Sequence, residues 1–134
     1  MKLCNDTITV FNATVSNGVK VWHPTVIQGV SWFSTDASTV DSSKGGLVAA
    51  KKVTIRIPAE LGGAYTDPIS YKNAVDVSNI WTLTDGDIVV KATVTGDGWT
   101  PSTLHNAYTD CAVILGVTDN RRAPNAPHWR VTAG

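Results

Sequence analysis

β-Branched side chains dominate this sequence. Of its 134 residues, 17 are Val, 17 are Thr and 8 are Ile, whereas only one is Glu, one is Gln and six are Leu. Val, Ile and Thr are stiff at χ1 and suit a pleated surface, while straight-chain residues that favour helices are scarce. A chain of this length can bury the core of one ordinary domain. The composition therefore predicts a single all-β domain over residues 1–134.

Alternating apolar and polar residues, broken by turn signals, divide the chain into about seven short strands. The Asn17-Gly18 pair is a strong hairpin signal between the first two. The long apolar run that follows contains Pro24 and Gly29, so we expect an edge position or a bend there. Short strands at this spacing are typical of a small antiparallel β-barrel or sandwich.

The connecting segments carry one or two short helices. Residues 34–46 are small and polar, which predicts a surface loop or hairpin tip. Asp67-Pro68 has the order of an N-cap and first helical residue, so we expect a short helix over about 68–75. The run 87–95 predicts a strong strand, and Thr100-Pro101 can begin a helical turn.

Nothing in the sequence has the pattern of a catalytic or metal site. His23, His105 and His128 lie far apart in sequence, and none has a second metal-ligating residue at the spacing a metal site needs. There is no GxSxG turn and no glycine-rich phosphate loop, and Asp85 and Asp87 flank a turn glycine. We therefore expect no enzyme, no cofactor and no bound metal.

Charge and cysteine content limit the environment of the protein. The formal net charge is zero, which argues against a protein whose main task is to neutralise phosphates. No segment has the length and apolarity of a membrane span, so we expect a soluble protein that is not secreted. Cys4 and Cys111 are too few for a disulfide framework. Two reduced thiols and a single disulfide both remain open.

The stretch "GVTDNRRAPNAPHW", residues 116–129, is the densest in chemically capable side chains. We expect a core strand that ends in a stiff contact loop, since Pro124 and Pro127 limit the entropy lost on docking. One arginine of the adjacent pair can bind Asp119 while the other projects outward. A solvated surface hairpin is the alternative. The predicted interface residues are Asp119, Asn120, Arg121, Arg122, His128 and Trp129, together with Trp99.

The order of several blocks resembles a family of small virion proteins from tailed bacteriophages of Gram-positive bacteria, found among the head–tail connector proteins. The blocks are "TITVFN", "VWHPTVIQGVSWF", "VTIRIP", "LTDGDIVVKATV" and "VTDNRRAPNAPHWRV". The broader plan is similar to that of phage stopper, or head-completion, proteins. These are compact β-barrels that form a ring between the portal–adaptor complex and the tail.

The resemblance implies a homo-oligomeric ring, six- or twelve-fold, in the neck of the virion, made in the host bacterial cytoplasm. Its partners would be portal, adaptor and tail proteins, without a membrane. The segments 34–46, 58–79, 96–110 and 119–128 could reach neighbours. Contact with packaged DNA would be non-specific, through Lys44, Lys51 and Lys52.

Two other functions remain open. A tail terminator or another tail protein belongs to the same structural class. A carbohydrate-binding β-sandwich is favoured if Trp99 and Trp129 cluster on one open face, with Asp- and Asn-rich turns that could hold calcium.

Overall fold

The computed structural model describes residues 5–41, 46–96 and 98–134. In this part of the chain, six antiparallel strands close into a barrel in the order β1-β2-β3-β6-β5-β4. The strands are β1 Asp6–Ser16, β2 Val19–Asp41, β3 Gly46–Pro58, β4 Ile88–Val90, β5 Cys111–Asn120 and β6 His128–Ala133. The helices are a 3₁₀ helix Ala59–Ala64, α1 Pro68–Lys72 and α2 Pro101–Ala107. The all-β prediction is confirmed, and the architecture is the barrel.

The first hairpin forms at the predicted turn. Ser16 pairs with Val19 across a two-residue loop. Asn17 and Gly18 have φ values of 52° and 77°, which are the positive values that such a tight turn requires. Asn and Gly are the residues that adopt this conformation most readily.

β2 is one long strand rather than two, so the described residues contain six strands and not the predicted seven or so. Among the described residues, its first part pairs with β1 up to Val30 and its second part pairs with β3 from Ser31. Pro24 therefore lies where one edge of β2 has no ladder partner, as expected for a residue without an N–H. Gly29, with φ 90°, forms the bend as a bulge opposite the Asp6/Thr7 step.

The prediction of a loop over residues 34–46 is wrong for most of that segment. β2 continues to Asp41 and pairs with β3 back to Gly46, and only the connection at 42–45 lies outside the described residues. The reason is tertiary pairing, since the segment contains Thr and Val and meets the apolar start of β3.

The strand expected over 87–95 is much shorter, because β4 contains only Ile88–Val90. Beyond it, the side chain of Thr9 replaces the ladder. Its Oγ1 donates to the carbonyl oxygen of Ala92 (2.7 Å) and accepts from the N–H of Val94 (3.0 Å). A buried hydroxyl thus satisfies the backbone groups that a longer strand would have paired.

Both predicted helix starts are confirmed. Asp67 accepts from the backbone N–H of Ser70 (2.9 Å), with Pro68 as the first residue of α1. Thr100 and Thr103 form a reciprocal capping box at the start of α2.

The apolar side chains form two clusters. The larger one fills the barrel with residues such as Ile8, Ile55 and Trp129. The smaller one lies on the outer face of β1 and β4, where Leu104 of α2 covers Phe11 and Ile88. The segment 91–110 therefore covers one side of the barrel.

Candidate interaction site

The stretch 116–129 forms the end of β5, a connection over 121–127 and the start of β6. Asn120 and His128 are cross-strand partners at the end of this ladder, and their Nδ2 and Nε2 atoms lie 3.4 Å apart. The other ring nitrogen of His128, Nδ1, lies 2.8 Å from the carbonyl oxygen of Ala126. The predicted strand is thus present, and the loop that follows it is held at its ends by these side chains.

Asp119 and Arg121 form a two-point ion pair at the start of the loop. Arg121 donates through Nε (2.9 Å to Oδ1) and Nη2 (2.6 Å to Oδ2), and its backbone N–H also donates to Oδ1 (3.0 Å). These hydrogen bonds hold the pKa of Asp119 at about 2. The pairing of one arginine with Asp119 is confirmed, and both Arg121 and Arg122 are exposed.

The same guanidinium lies over two aromatic rings, 4.8 Å from the centroid of Trp129 and 5.2 Å from that of Tyr65. We call Asp119, Arg121, Tyr65 and Trp129 the arginine stack. Trp129 is 1% exposed and also meets Trp81 edge to face at 5.7 Å. The expectation that Trp129 is an interface residue is therefore wrong: its position in β6 places the ring inside the barrel, and Arg121 covers it.

Trp99 occupies a different part of the molecule. It packs on Tyr108 at 5.9 Å, borders the smaller core cluster, and donates through Nε1 to the carbonyl oxygen of Thr95 (3.1 Å). Because Trp129 belongs to the larger cluster, the two tryptophans do not share an open face. Trp99 is half-buried.

The remaining predicted residues are dispersed or lie outside the description. Lys44 and Cys4 fall outside the described residues, and the side chain of Lys51 is likewise not described. Lys52 is exposed on β3, and Cys111 is buried. Across the described residues, no three His, Cys, Asp or Glu side chains are close enough together to hold a metal ion. In the same residues, no helix has the length and apolarity to cross a membrane.

A groove that the sequence did not predict opens beside the β1–β2 hairpin. Its volume is about 850 Å³, within the usual range of binding pockets. One wall is the end of the hairpin with Thr14 and His23, which share a 2.7 Å hydrogen bond. The other wall is α1 and the residues after it, including Ile69 and Val75. We call this space the hairpin groove.

The floor of the hairpin groove holds a buried carboxyl group. Asp87 is 6% exposed, and Asn12 donates to its Oδ2 (2.8 Å) through Nδ2. Backbone N–H groups of Thr84 and Ala13 also donate to it. Burial nevertheless raises the pKa of Asp87 to about 6.

Tyr71 lies beside this carboxyl group. It is 4% exposed, its hydroxyl has no hydrogen-bond partner among the described residues, and burial raises its pKa to about 12. The sequence predicts only a turn role for Asp87, beside Gly86. The only available signal was an aspartate directly before the apolar run Ile88–Val90, which is too common to identify a site.

These observations define a small closed antiparallel barrel with a groove beside its β1–β2 hairpin, and the groove contains a buried acid. The chain belongs to a family of unknown function (DUF6751), whose model matches residues 3–134. No curated protein and no solved structure matches the chain. The family match includes every strand and helix described above.

Proposed function

We propose that this chain is a structural virion protein of a tailed bacteriophage, a head–tail connector subunit of the stopper or head-completion kind. It would form a ring in the neck of the virion, between the portal–adaptor complex and the tail, after synthesis in the host bacterial cytoplasm. The resemblance of its sequence blocks suggested this role. The strand pairing described below supports an assembling subunit.

The observation that carries the proposal is a long two-stranded ribbon that leaves the barrel. Pairs from Thr35↔Lys52 to Asp41↔Gly46 have no third strand among the described residues, because β3 meets β6 only from Val53 onwards. At about 3.4 Å per residue this ribbon is about 20 Å long. A two-stranded hairpin is marginally stable alone in water, so it gains most by docking on a neighbour.

Exposed apolar side chains accompany both extensions of the sheet. Phe33, just before the long ribbon, is 60% exposed. The β1–β2 hairpin also extends past β4, from Asn12↔His23 to Ser16↔Val19, and we call this part the short ribbon. Val15 and Val19 within it are 70% and 64% exposed. Such residues on ribbons without a covering layer suit subunit contacts.

The charge balance fits a neck protein that holds DNA without reading its sequence. A formal net charge of zero gives little general attraction to phosphates. Any contact of a ring lumen with packaged DNA would be local and non-specific, as proposed for Lys44, Lys51 and Lys52.

The alternative functions differ in what supports them. A tail terminator would use the same kind of ring, and only its position in the virion distinguishes it from a stopper. The carbohydrate-binding module loses its main support, since Trp129 is buried and Trp99 packs in a different cluster.

The test is the mass of the purified protein, alone and mixed with tail-less heads of a phage that encodes a member of this family. We expect a closed ring in solution, or a monomer that joins the heads at a multiple of six copies per particle. A monomer that ignores the heads would contradict the proposal. A glycan-dependent change in tryptophan fluorescence would then favour the carbohydrate-binding module.

A further inference from the structure

The hairpin groove contains a negative charge that nothing in the described chain neutralises. Among the described residues Asp87 has no ion pair, and its hydrogen bonds come from the neutral donors of Asn12, Thr84 and Ala13. Lys20 acts on it only at a distance. A buried carboxylate without a cation is costly, so this position favours a ligand that brings a positive charge.

The rim of the same groove is apolar. Val15, Ile69 and Val75 line it and are 70%, 74% and 105% exposed. An occupant that covers them must be partly apolar, while its end must be cationic and able to donate hydrogen bonds. Arginine and lysine side chains have this combination, with an aliphatic stem and a charged head.

Other charged groups at the groove do not alter this requirement. Lys72, Asp76 and His23 also line it, and Lys72 and Asp76 are exposed. Charges in contact with water are screened, whereas the buried Asp87 is not. Asp76 is moreover engaged locally, since its Oδ1 accepts from the N–H of Ser78 (2.9 Å).

The chain itself presents a suitable cation. Both arginines of the loop are exposed, but Arg121 is engaged by Asp119 and by the two rings beneath it, which leaves Arg122 as the arginine available to a partner. Arg122 has no ion pair among the described residues. Pro124 and Pro127 stiffen its loop, so little conformational entropy is lost when it docks.

Strand directions place this loop and the groove at the same end of the barrel. β1 and β5 are both antiparallel to β4, so they run in the same direction. β1 ends in the short ribbon, and β5 ends at Asn120 just before Arg122. In the closed order, β3 separates the two hairpins on one side and β4 on the other, so they lie on opposite sides of the barrel.

The loop and the hairpin groove are two different patches of the surface, so a contact between them in neighbouring copies is head-to-tail, the kind of contact that can close into a ring. We propose that Arg122 of one copy enters the hairpin groove of the next copy and binds Asp87, with its stem on Val15, Ile69 and Val75. This inference rests on the proposed ring function and names its subunit contact.

The first test is a double-mutant cycle on self-association, measured by sedimentation or by binding to tail-less heads. Arg122→Ala and Asp87→Asn should each weaken association about 30-fold or more, and the double variant should be little weaker than either single variant. Arg130→Ala, an exposed arginine on β6, is the matched control and should leave association unchanged.

The second test does not depend on the stability of the Asp87 variant. Ala123→Cys and Val75→Cys, which both keep Arg122 and Asp87, are introduced into separate batches; when mixed under mild oxidation they should yield a disulfide-linked dimer. Ala123→Cys with Ser102→Cys, on the exposed face of α2, is the control pair and should yield none.

The outcomes separate this inference from the proposed function. The Arg122–Asp87 contact would be overturned if rings form but the two substitutions act independently, or if rings form without the specific cross-link. Either result would leave the ring function standing. Loss of association in Asp87→Asn but not in Arg122→Ala would also overturn it, since another group would then occupy the groove. A wild-type chain that neither self-associates nor binds heads would overturn both.

Discussion

At the scale of single residues, the buried carboxyl group of Asp87 is the least expected feature of the molecule. Its pKa is raised to about 6, mainly because burial disfavours the charged form, while hydrogen bonds from Asn12 and two backbone amides oppose this. Folding therefore favours the protonated form of Asp87 more than the unfolded chain does. Its stabilising effect is present below the ordinary value of 3.8 and is lost as the pH rises through about 6.

This gives a pH dependence that one substitution should remove. Relative to Asp87→Asn, the free energy of unfolding of the wild-type protein should fall by about 2 kcal/mol between about pH 4 and about pH 7. Urea unfolding at both pH values measures this. Asp85→Asn, on the exposed side of the same turn, is the control and should track the wild type. Parallel profiles for wild type and Asp87→Asn would show that the carboxyl group is not perturbed.

Residues differ in how far their roles can be predicted from the sequence. The pairing of an arginine with Asp119 could be predicted, because the two groups are close in the chain. The burial of Trp129 and the contact of Asp87 with Asn12 could not. Both depend on residues far apart in sequence that meet only when the barrel closes.

At the scale of the elements, local signals predicted the turns and helix starts well and the strand lengths less well. Asn17-Gly18 and Asp67-Pro68 determine their own backbone geometry, so these predictions are confirmed. The ends of β2 and β4 are set by partners instead. Pairing with β3 extends β2, and the hydroxyl of Thr9 replaces the ladder beyond β4.

The 3₁₀ helix provides a test of packing at this scale. A Cβ on Gly62 would overlap the indole of Trp129, whereas a Cβ on Gly63 would meet nothing within 4 Å. Gly62→Ala should therefore lower the free energy of unfolding by about 2 kcal/mol, as overpacking does. Gly63→Ala should change it by less than about 0.5 kcal/mol. Thermal unfolding of the two variants compares them directly, and equal losses would mean that the helix does not pack on Trp129.

At the scale of the whole molecule, the barrel is a small body from which two ribbons extend. The long ribbon, from Thr35↔Lys52 to Asp41↔Gly46, consists of the β2–β3 pairs in which β3 does not also pair with β6. The short ribbon consists of the β1–β2 pairs in which β1 does not also pair with β4. Neither ribbon can be predicted from periodicity alone, because the alternation of apolar and polar residues in a strand does not show whether a third strand pairs with its free edge. The proposed ring would supply the missing partners of both.

The proposed connector role is tested most directly by electron microscopy of particles from a tailed phage that encodes a member of this family, grown without that gene. We expect mature heads and complete but unattached tails, with joining restored when the purified chain is added back. Intact, infectious virions in its absence would contradict a role as head–tail connector.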